Sequence, residues 1–471
     1  MSPTSKRSAW GIFCVRKRIY RPNHGTIIPI NTFRKGGLIM PSIWRETSQL
    51  PSFERLEGDK KCDVLIIGGG MAGILLAYLL DRQGTNYILV EKDKICGGTT
   101  GNTTAKITYQ HGLIYDKLIK SLGKNAAQGY YLANRDALER LCKLAEKCDC
   151  GLERKDSYVY TTSAPEKIER ELEAMKTIGC RAEYAAQLPL PIYTECAVKV
   201  KNQAQFNPLQ FISHIAKDLN IYENTFVKEM RGRTAITEKG KIRADKVVVC
   251  THFPFINKHG SYFLKLYQHR SYVIALKNAA DVGGMYLDEN KSGLSFRNYK
   301  EYLLLGGGSH RTGKQGGSYQ ELRSIAKEKY PQAQEVCHWA AQDCMSLDGM
   351  PYIGRYSQGS TGLYTATGFN KWGMTGSMLS ALMLSTMVSG GKSKYSELFS
   401  PSRSMLRPQL IANGFEATVS LLTPTAKRCP HLGCALKWNP VEHSWDCPCH
   451  GSRFTKDGRV IENPANGDLK K

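Results

Sequence analysis

The stretch "CPHLGCALKWNPVEHSWDCPCHGS", Cys429 to Ser452, holds four cysteines, three histidines and two tryptophans. One residue separates Cys429 from His431, and two separate Cys447 from His450. Pro430, Gly433, Pro448 and Gly451 bend the chain into two tight loops around them. Thiolate and imidazole ligands select soft or borderline transition metals, so the stretch is either a structural metal staple or the working end of an electron-transfer path. Two loops of this kind could close tetrahedrally on Zn²⁺. His443 lies in neither loop and reads as an exposed residue of the connecting hairpin.

A second chemistry stands near the other end. "CDVLIIGGGMAGILLAYLLDRQGTNYILVEKD" reads as strand, glycine turn, helix and strand, with Gly68, Gly70 and Gly73 in GxGxxG spacing. Gly68 permits the tight turn, Gly70 lets a pyrophosphate approach the backbone, and Gly73 lets helix and strand pack closely. The helix N-terminus then offers unpaired N–H groups and a positive dipole end to the phosphates. Glu91, 18 residues after Gly73, is placed to take the hydroxyls of an adenosine ribose. No second fingerprint follows: in "LLLGGGSHRTG" Arg311 stands where a third glycine should fall, and no apolar helix comes after it.

Around this cradle, "GGTTGNTTAKIT", "QFNPLQF", "ENTFV", "KVVVCTHFP", "DGMPYIG" and "LYTATGFNKWGMT" occur in order. Residues 41–401 with these pieces resemble the FAD-dependent oxidoreductases of the D-amino-acid oxidase and glycine oxidase superfamily. The resemblance implies an α/β fold: a discontinuous Rossmann-like FAD-binding domain from about 59–120, 200–260 and 340–395, and an antiparallel α+β substrate domain from about 121–199 and 261–339. It places Val227 at the adenine, Thr99 to Thr104, Thr103 among them, along the pyrophosphate and flavin, and Gly368 to Met374 over the isoalloxazine. A helix beginning near Gly373 would aim its N-terminus at negative charge on reduced flavin. Candidates to line the substrate site are Lys106, His111, Arg270, Tyr272, His310 and Lys371. Arg270 and Tyr272 could hold a substrate carboxylate by a bidentate pair and a phenol hydrogen bond, and Lys106 joins them as a catalytic candidate.

The C-terminal loops resemble the Rieske signature CxHxGC and CPCHGS at non-ligand positions too, which favours an iron–sulfur cluster over zinc. The resemblance implies that Cys429 and Cys447 hold one iron and His431 and His450 the other iron of a [2Fe-2S] cluster, at about −150 to +300 mV. It further implies a Cys434–Cys449 disulfide between the loops, as in the cytochrome bc branch, and a Ser452 hydroxyl bonded to a cluster sulfide. Phe454 stands where that branch has a tyrosine, so the potential is expected below the top of the range. Residues 402–416 read as a linker and 417–471 as a small all-β Rieske domain with a short basal sheet, "ATVSLL" (417–422) being its one strand before the first loop. So small a unit buries little apolar area alone and is expected to lean on the FAD domain.

Composition bounds the rest. The net charge of +23 owes about a third to eight Lys or Arg in residues 1–39, which contain no acid. "KGGLIM" before Met40 back-translates to a purine run like a ribosome-binding site, so this basic extension is expected not to be native; a transit peptide is the competing reading. No basic–aromatic stripe marks a nucleic-acid binder. No apolar run is long enough to span a membrane, and "SMLSALMLSTMV" reads as a packed helix. Eleven of the 15 cysteines are scattered and no signal peptide is evident, which fits a reducing, cytoplasmic setting.

The expectation is an enzyme in which a small amine, amino acid or related substrate reduces FAD by hydride transfer and electrons leave singly through the cluster to an acceptor protein. The alternative is an electron-transfer or redox-sensing protein without turnover. A Rieske oxygenase would need a 2-His-1-carboxylate iron site, for which the sparse histidines offer no set.

Overall fold

The apolar run before the glycine turn becomes the middle of a sheet. The computed structural model describes residues 41–256, 259–290 and 293–470; the basic extension and Met40 lie outside the described residues. Strand Lys60–Ile67 pairs in parallel with Tyr87–Val90 on one side and Lys241–Val249 on the other. Leu363–Thr367 extends the sheet in parallel beyond Lys241–Val249, and Tyr352–Arg355 closes that edge antiparallel. The chain therefore builds one eight-stranded sheet from its start, middle and end. Helices Met71–Arg82 and Gly373–Val388 pack against each other over the sheet. The second of these contains "SMLSALMLSTMV" and is buried along nearly its whole length, as expected for a helix that is apolar all round.

A nine-stranded sheet forms the other layer. Its long strands Leu266–Lys277, Tyr302–Arg311 and Gln334–Ser346 pair antiparallel, and Met285–Asp288 joins Glu153–Thr161 in parallel. Lys106–Ile107 joins this sheet at its edge, and Gln334–Ser346 runs unbroken through position 340. In strand Leu266–Lys277, Gln268 and Arg270 are buried at alternate positions, followed by Tyr272, so one face of its first half is polar.

The C-terminal segment adds a four-stranded antiparallel sheet, Lys437–Asn439, Ser444–Asp446, Arg453–Thr455 and Val460–Glu462. Its core is Cys429, Cys434, Leu436, Cys447, Cys449, Phe454 and Ala465, so more than half of the core residues are cysteines. The "ATVSLL" strand is not formed. Residues Pro408–Leu422 make a helix that enters through extended Arg407 with Pro408 in its first turn. Proline pre-sets the helical φ there at no hydrogen-bond cost, and the helix then carries the β-branched residues with it.

One clamp ties the segment leading into this helix to the first sheet. The Arg403 guanidinium forks onto both Asp348 oxygens at 2.7 Å, donates to the Met350 and Pro351 carbonyls, and lies 3.8 Å over the Tyr352 ring. Burial opposes ionisation of Asp348, but Arg403 outweighs it and holds the carboxyl below its ordinary value. A depressed carboxyl contributes stability above its unfolded pKa of about 3.9, lost as pH falls through the folded value. Arg403→Ala should cost about 3–5 kcal/mol in denaturant titrations at neutral pH, with the deficit narrowing below about pH 4.

Candidate cofactor sites and the interface that joins them

The glycine turn has the geometry its spacing predicts. Gly68 has φ +114°, and a Cβ there would fall 2.5 Å from the Cys250 carbonyl oxygen. A Cβ on Gly73 would fall 2.0 Å from the Gly68 oxygen, so helix and turn touch. Gly70 caps helix Met71–Arg82 with no side-chain hydrogen bond, and Thr100 Oγ1 accepts from Met71 N at 3.0 Å. Glu91 accepts from the N–H groups of Gly69 (2.7 Å) and Asp93 (3.1 Å). Burial raises its pKa against the pull of those two donors. These residues fit a dinucleotide: backbone approaches the turn where no side chain could stand, and a carboxylate closes the second strand.

The neighbouring loops are held by their own contacts. Glu223, buried in "ENTFV", accepts from Ile95 N (2.8 Å) and Lys94 Nζ (2.6 Å) and so anchors the segment entering Thr99–Asn102. Thr103 Oγ1 accepts from Ala105 N, and Val227 is buried among Val90 and Ile67. Gly368, Asn370 and Lys371 all have positive φ. Asn370 steadies that turn by accepting from Ser346 N at 2.9 Å, and helix Gly373–Val388, with buried Met374 in its first turn, follows at once. Adjacent left-handed non-glycine residues store strain that the surrounding structure must enforce.

At the C-terminal loops, His450 Nε2 donates to the Phe263 carbonyl at 3.0 Å. That bond leaves Nδ1 with its lone pair, and this buried atom has no hydrogen-bond partner among the described residues. Such a histidine is set up as a metal ligand. The His431 and His450 rings meet edge to face at 4.9 Å, and both stand edge-on to Phe253. Burial lowers both pKa values, that of His431 to about 3, so both rings are neutral, as ligands must be. Cys429 and Cys447 are hydrogen-bonded to each other. The donor atoms of Cys434, Cys447 and His450 lie within 4.8 Å of one another. Ser452 Oγ accepts from Ala465 N at 3.0 Å and bonds the Cys429 sulfur. Phe454 is fully buried beside them. Cys434 and Cys449 are adjacent free thiols joined by a hydrogen bond rather than a disulfide; the fold brings them together, and the redox poise of the surroundings decides oxidation.

The second cluster loop is fastened to the large domain along its backbone. Arg311 donates to the carbonyls of Pro448 (2.8 Å) and Cys449 (3.0 Å), Gln268 to that of His450 (2.8 Å), and Gln342 to that of Gly451 (2.8 Å). Four successive carbonyls are thus satisfied from outside the loop's own domain. Asn463 answers by donating to the Thr251 and Phe253 carbonyls. Glycine permits the approach: a Cβ on Gly451 would fall 2.6 Å from Gln268 Cβ, and one on Gly313 would fall 2.7 Å from Pro448 N. Thr99 donates to the Gln342 carbonyl at 2.9 Å, so one residue links the loop after the dinucleotide cradle to the cluster loop.

The structure reassigns three sequence candidates. Arg270 does not await a substrate carboxylate: its guanidinium binds Glu442 and Glu462 of the C-terminal domain, and Arg453 shares both acids. Tyr272, stacked on His310 and edge-on to Tyr319, lies at the same seam. His111 is a core residue held by Tyr130 and Thr108, neutral because burial lowers its pKa to about 3. Lys106 fares otherwise. It donates to Ser295 Oγ at 2.6 Å, and burial together with Arg297 pushes its pKa down to about 7. Sequence reading missed Gln268, Gln342 and Arg311. The unbroken polar run Gln268 to Ser271 in "YQHRSY" signalled that this strand meets polar partners without saying whose.

Comparison with known proteins follows the same division. The FAD dependent oxidoreductase family matches residues 63–387, and the Rieske [2Fe-2S] domain matches residues 421–471. The Rieske 2Fe-2S iron-sulfur protein YhfW of Bacillus subtilis (strain 168) is 34% identical, over 91% of this chain and 96% of its own. The cytochrome b6-f complex iron-sulfur subunit 3 of Nostoc sp. is 52% identical over 42 residues, 9% of this chain and 24% of its own. Among solved structures, glycine oxidase from Geobacillus kaustophilus superposes with TM-score 0.63 at 18% identity, covering 74% of this chain and 100% of its own. L-Proline dehydrogenase from P. horikoshii gives 0.62 at 18% identity, over 73% and 98%.

Two outcomes test these sites. Gly73→Val should yield protein without bound flavin, read from its absorbance after purification, because the new side chain overlaps the Gly68 carbonyl. Ser452→Ala removes about one hydrogen bond, 0.5–1.5 kcal/mol, and should lower the one-electron potential of the cluster by roughly 20–65 mV in EPR-monitored titration.

Proposed function

Because the chain belongs to the FAD dependent oxidoreductase family and ends in a Rieske [2Fe-2S] domain, we propose that it oxidises a small amine, amino acid or related substrate and delivers the electrons one at a time to an acceptor protein. It is an oxidoreductase of the amino-acid oxidase type. Bound FAD supplies two-electron chemistry and the [2Fe-2S] cluster one-electron transfer, a pairing that lets a hydride donor serve a single-electron carrier. The observation that carries the reading is the clamp on carbonyls 448–451, which fastens the cluster loop to the nine-stranded sheet, where Gln342 also accepts from Thr99 of the loop that follows the dinucleotide cradle.

The substrate class draws support from the fold relatives, named as a glycine oxidase, an L-proline dehydrogenase and an L-amino acid deaminase. Gly68, Gly70, Gly73 and Glu91 would hold the adenosine and pyrophosphate, with Thr99, Thr103, Val227, Gly368, Gly373 and Met374 along the rest of the cofactor. Cys429, His431, Cys447 and His450 would hold the cluster. Lys106 stands two residues beyond the Thr99–Thr104 segment, and as a neutral amine above about pH 7 it can take the proton that a substrate ammonium must lose before oxidation. Lys371, whose Nζ donates to Ser309, and Asp343, paired with it electrostatically, stand near the strained turn and are suited to orient a charged substrate. Eleven of the 15 cysteines are scattered through the sequence outside the cluster loops, which fits a reducing, cytoplasmic setting. No helix among the described residues is long and apolar enough to cross a membrane.

Anaerobic titration with amines and amino acids, followed by flavin absorbance and low-temperature EPR, decides between turnover and carriage. Flavin bleaching followed by a Rieske signal is expected; bleaching by reduced carrier proteins alone would instead establish an electron-transfer or sensing role. Arg311→Met should slow the appearance of the EPR signal and leave flavin reduction unchanged. The rate of flavin reduction should rise through about pH 7, and Lys106→Met should abolish that rise.

A further inference from the structure

Helix Pro408–Leu422 is built inside out. The residues facing the protein are polar: Asn413 accepts from Arg311 Nη1 (3.0 Å), Glu416 pairs with Lys314 (2.7 Å), and Ser420 exchanges backbone and side-chain bonds with Ala435. The outward face is apolar. Ile411, Phe415, Val419 and Leu422, spaced four, four and three residues apart, form one stripe with exposures of 78%, 70%, 44% and 77%. Leu406 before the helix is also exposed, and so is Leu432, beside His431 at the tip of the first cluster loop. Scattered exposed leucines need no explanation, but a continuous apolar stripe of this kind marks a surface that something apolar covers.

We propose that this face seats on an anionic lipid surface, the helix lying in the plane of the interface. At 15 residues the helix is too short to span a bilayer, and apolar side chains on one side with basic residues at the flanks are what an interfacial helix requires. From Arg407 to Lys437 the chain carries four basic residues, Arg407, Lys427, Arg428 and Lys437, and a single acid, Glu416, which is turned inward onto Lys314. Lys427, Arg428 and Lys437 are exposed. The charge argues against a second copy as the occupant, since a twofold contact through this face would oppose the same cations. Arg428 donates to the Leu421, Thr423 and Gly433 carbonyls, so the end of the helix and the first cluster loop are one rigid piece. Seating the helix therefore brings that cluster loop to the lipid surface. The inference rests on the surface alone and is independent of the substrate.

Co-sedimentation of the full chain with phosphatidylglycerol/phosphatidylcholine vesicles, against phosphatidylcholine alone, tests it. Binding to the anionic vesicles that weakens with salt is expected, and Phe415→Ser with Leu422→Ser should lower partitioning at least about tenfold with near-UV dichroism and iron content unchanged. Lys427→Gln with Lys437→Gln, which leaves the apolar stripe intact, should weaken binding to anionic vesicles only, and it decides the matter if the first variant fails to fold. Equal binding to both vesicle types, no binding to either, or a solution dimer that the Phe415/Leu422 variant converts to monomer would overturn the proposal.

Discussion

Four consecutive carbonyls, those of Pro448, Cys449, His450 and Gly451, accept hydrogen bonds from Arg311, Gln268 and Gln342. A loop that wraps a metal centre cannot satisfy its own backbone by strand or helix pairing, and a buried unpaired carbonyl is costly. The large domain supplies the missing donors from three adjacent strands, Gln342 on Gln334–Ser346, Gln268 on Leu266–Lys277 and Arg311 at the end of Tyr302–Arg311. The dependence runs further, because the small domain's core is mostly cysteine and its four strands have three residues each. Such a unit buries too little apolar area to stand alone, so cluster binding and docking together supply what a hydrophobic core would.

Charge reinforces the same seam. Arg270 from the large domain and Arg453 from the small one share Glu442 and Glu462, and Asp446 holds Arg453 at 3.0 Å. Burial opposes ionisation of both glutamates, and the two arginines outweigh it, holding each below its ordinary value. The contribution is therefore present at neutral pH and fades as acid protonates the carboxyls. A buried network of this kind adds less to stability than its contacts suggest, because desolvation cancels much of the attraction. Its clearer effect is on register, since any other docking pose would strand the Arg270 charge.

These two features bear on function through distance and rigidity. His450 spends Nε2 on the Phe263 carbonyl, so that edge of the cluster site is turned inward, toward the large domain. The first loop has two sides: His431 stands edge-on to Phe253 of the large domain, while Leu432 is exposed and Arg428 braces the loop to the inverted helix. The cluster loops therefore have an inner contact on the large domain and an exposed outer tip, an arrangement suited to the proposed transfer of electrons to an acceptor protein.

The sequence by itself determined the cradle's glycine geometry and supplied the proposed ligand set. In both, the chemistry depends on neighbours within a few residues: Gly68 and Gly73 are required by backbone contacts a few positions apart, and the cysteines and histidines by the two loops that present them. It also carried the ordered segments from which a discontinuous sheet could be expected. The tertiary structure decided the role of Arg270, whose partners lie 172 and 192 residues away and leave no local signal beyond a polar run. It decided that "ATVSLL" is helical, where Pro408 and the packing of Asn413 and Ser420 override β-branched propensity. And it decided which side of that helix faces water, because the side chains that claim its polar face, Arg311 at the end of strand Tyr302–Arg311 and Lys314 just beyond it, come from about a hundred residues earlier. Local spacing encodes what a site can bind; only the folded chain decides which surfaces meet, since that depends on pairs of groups no short stretch contains.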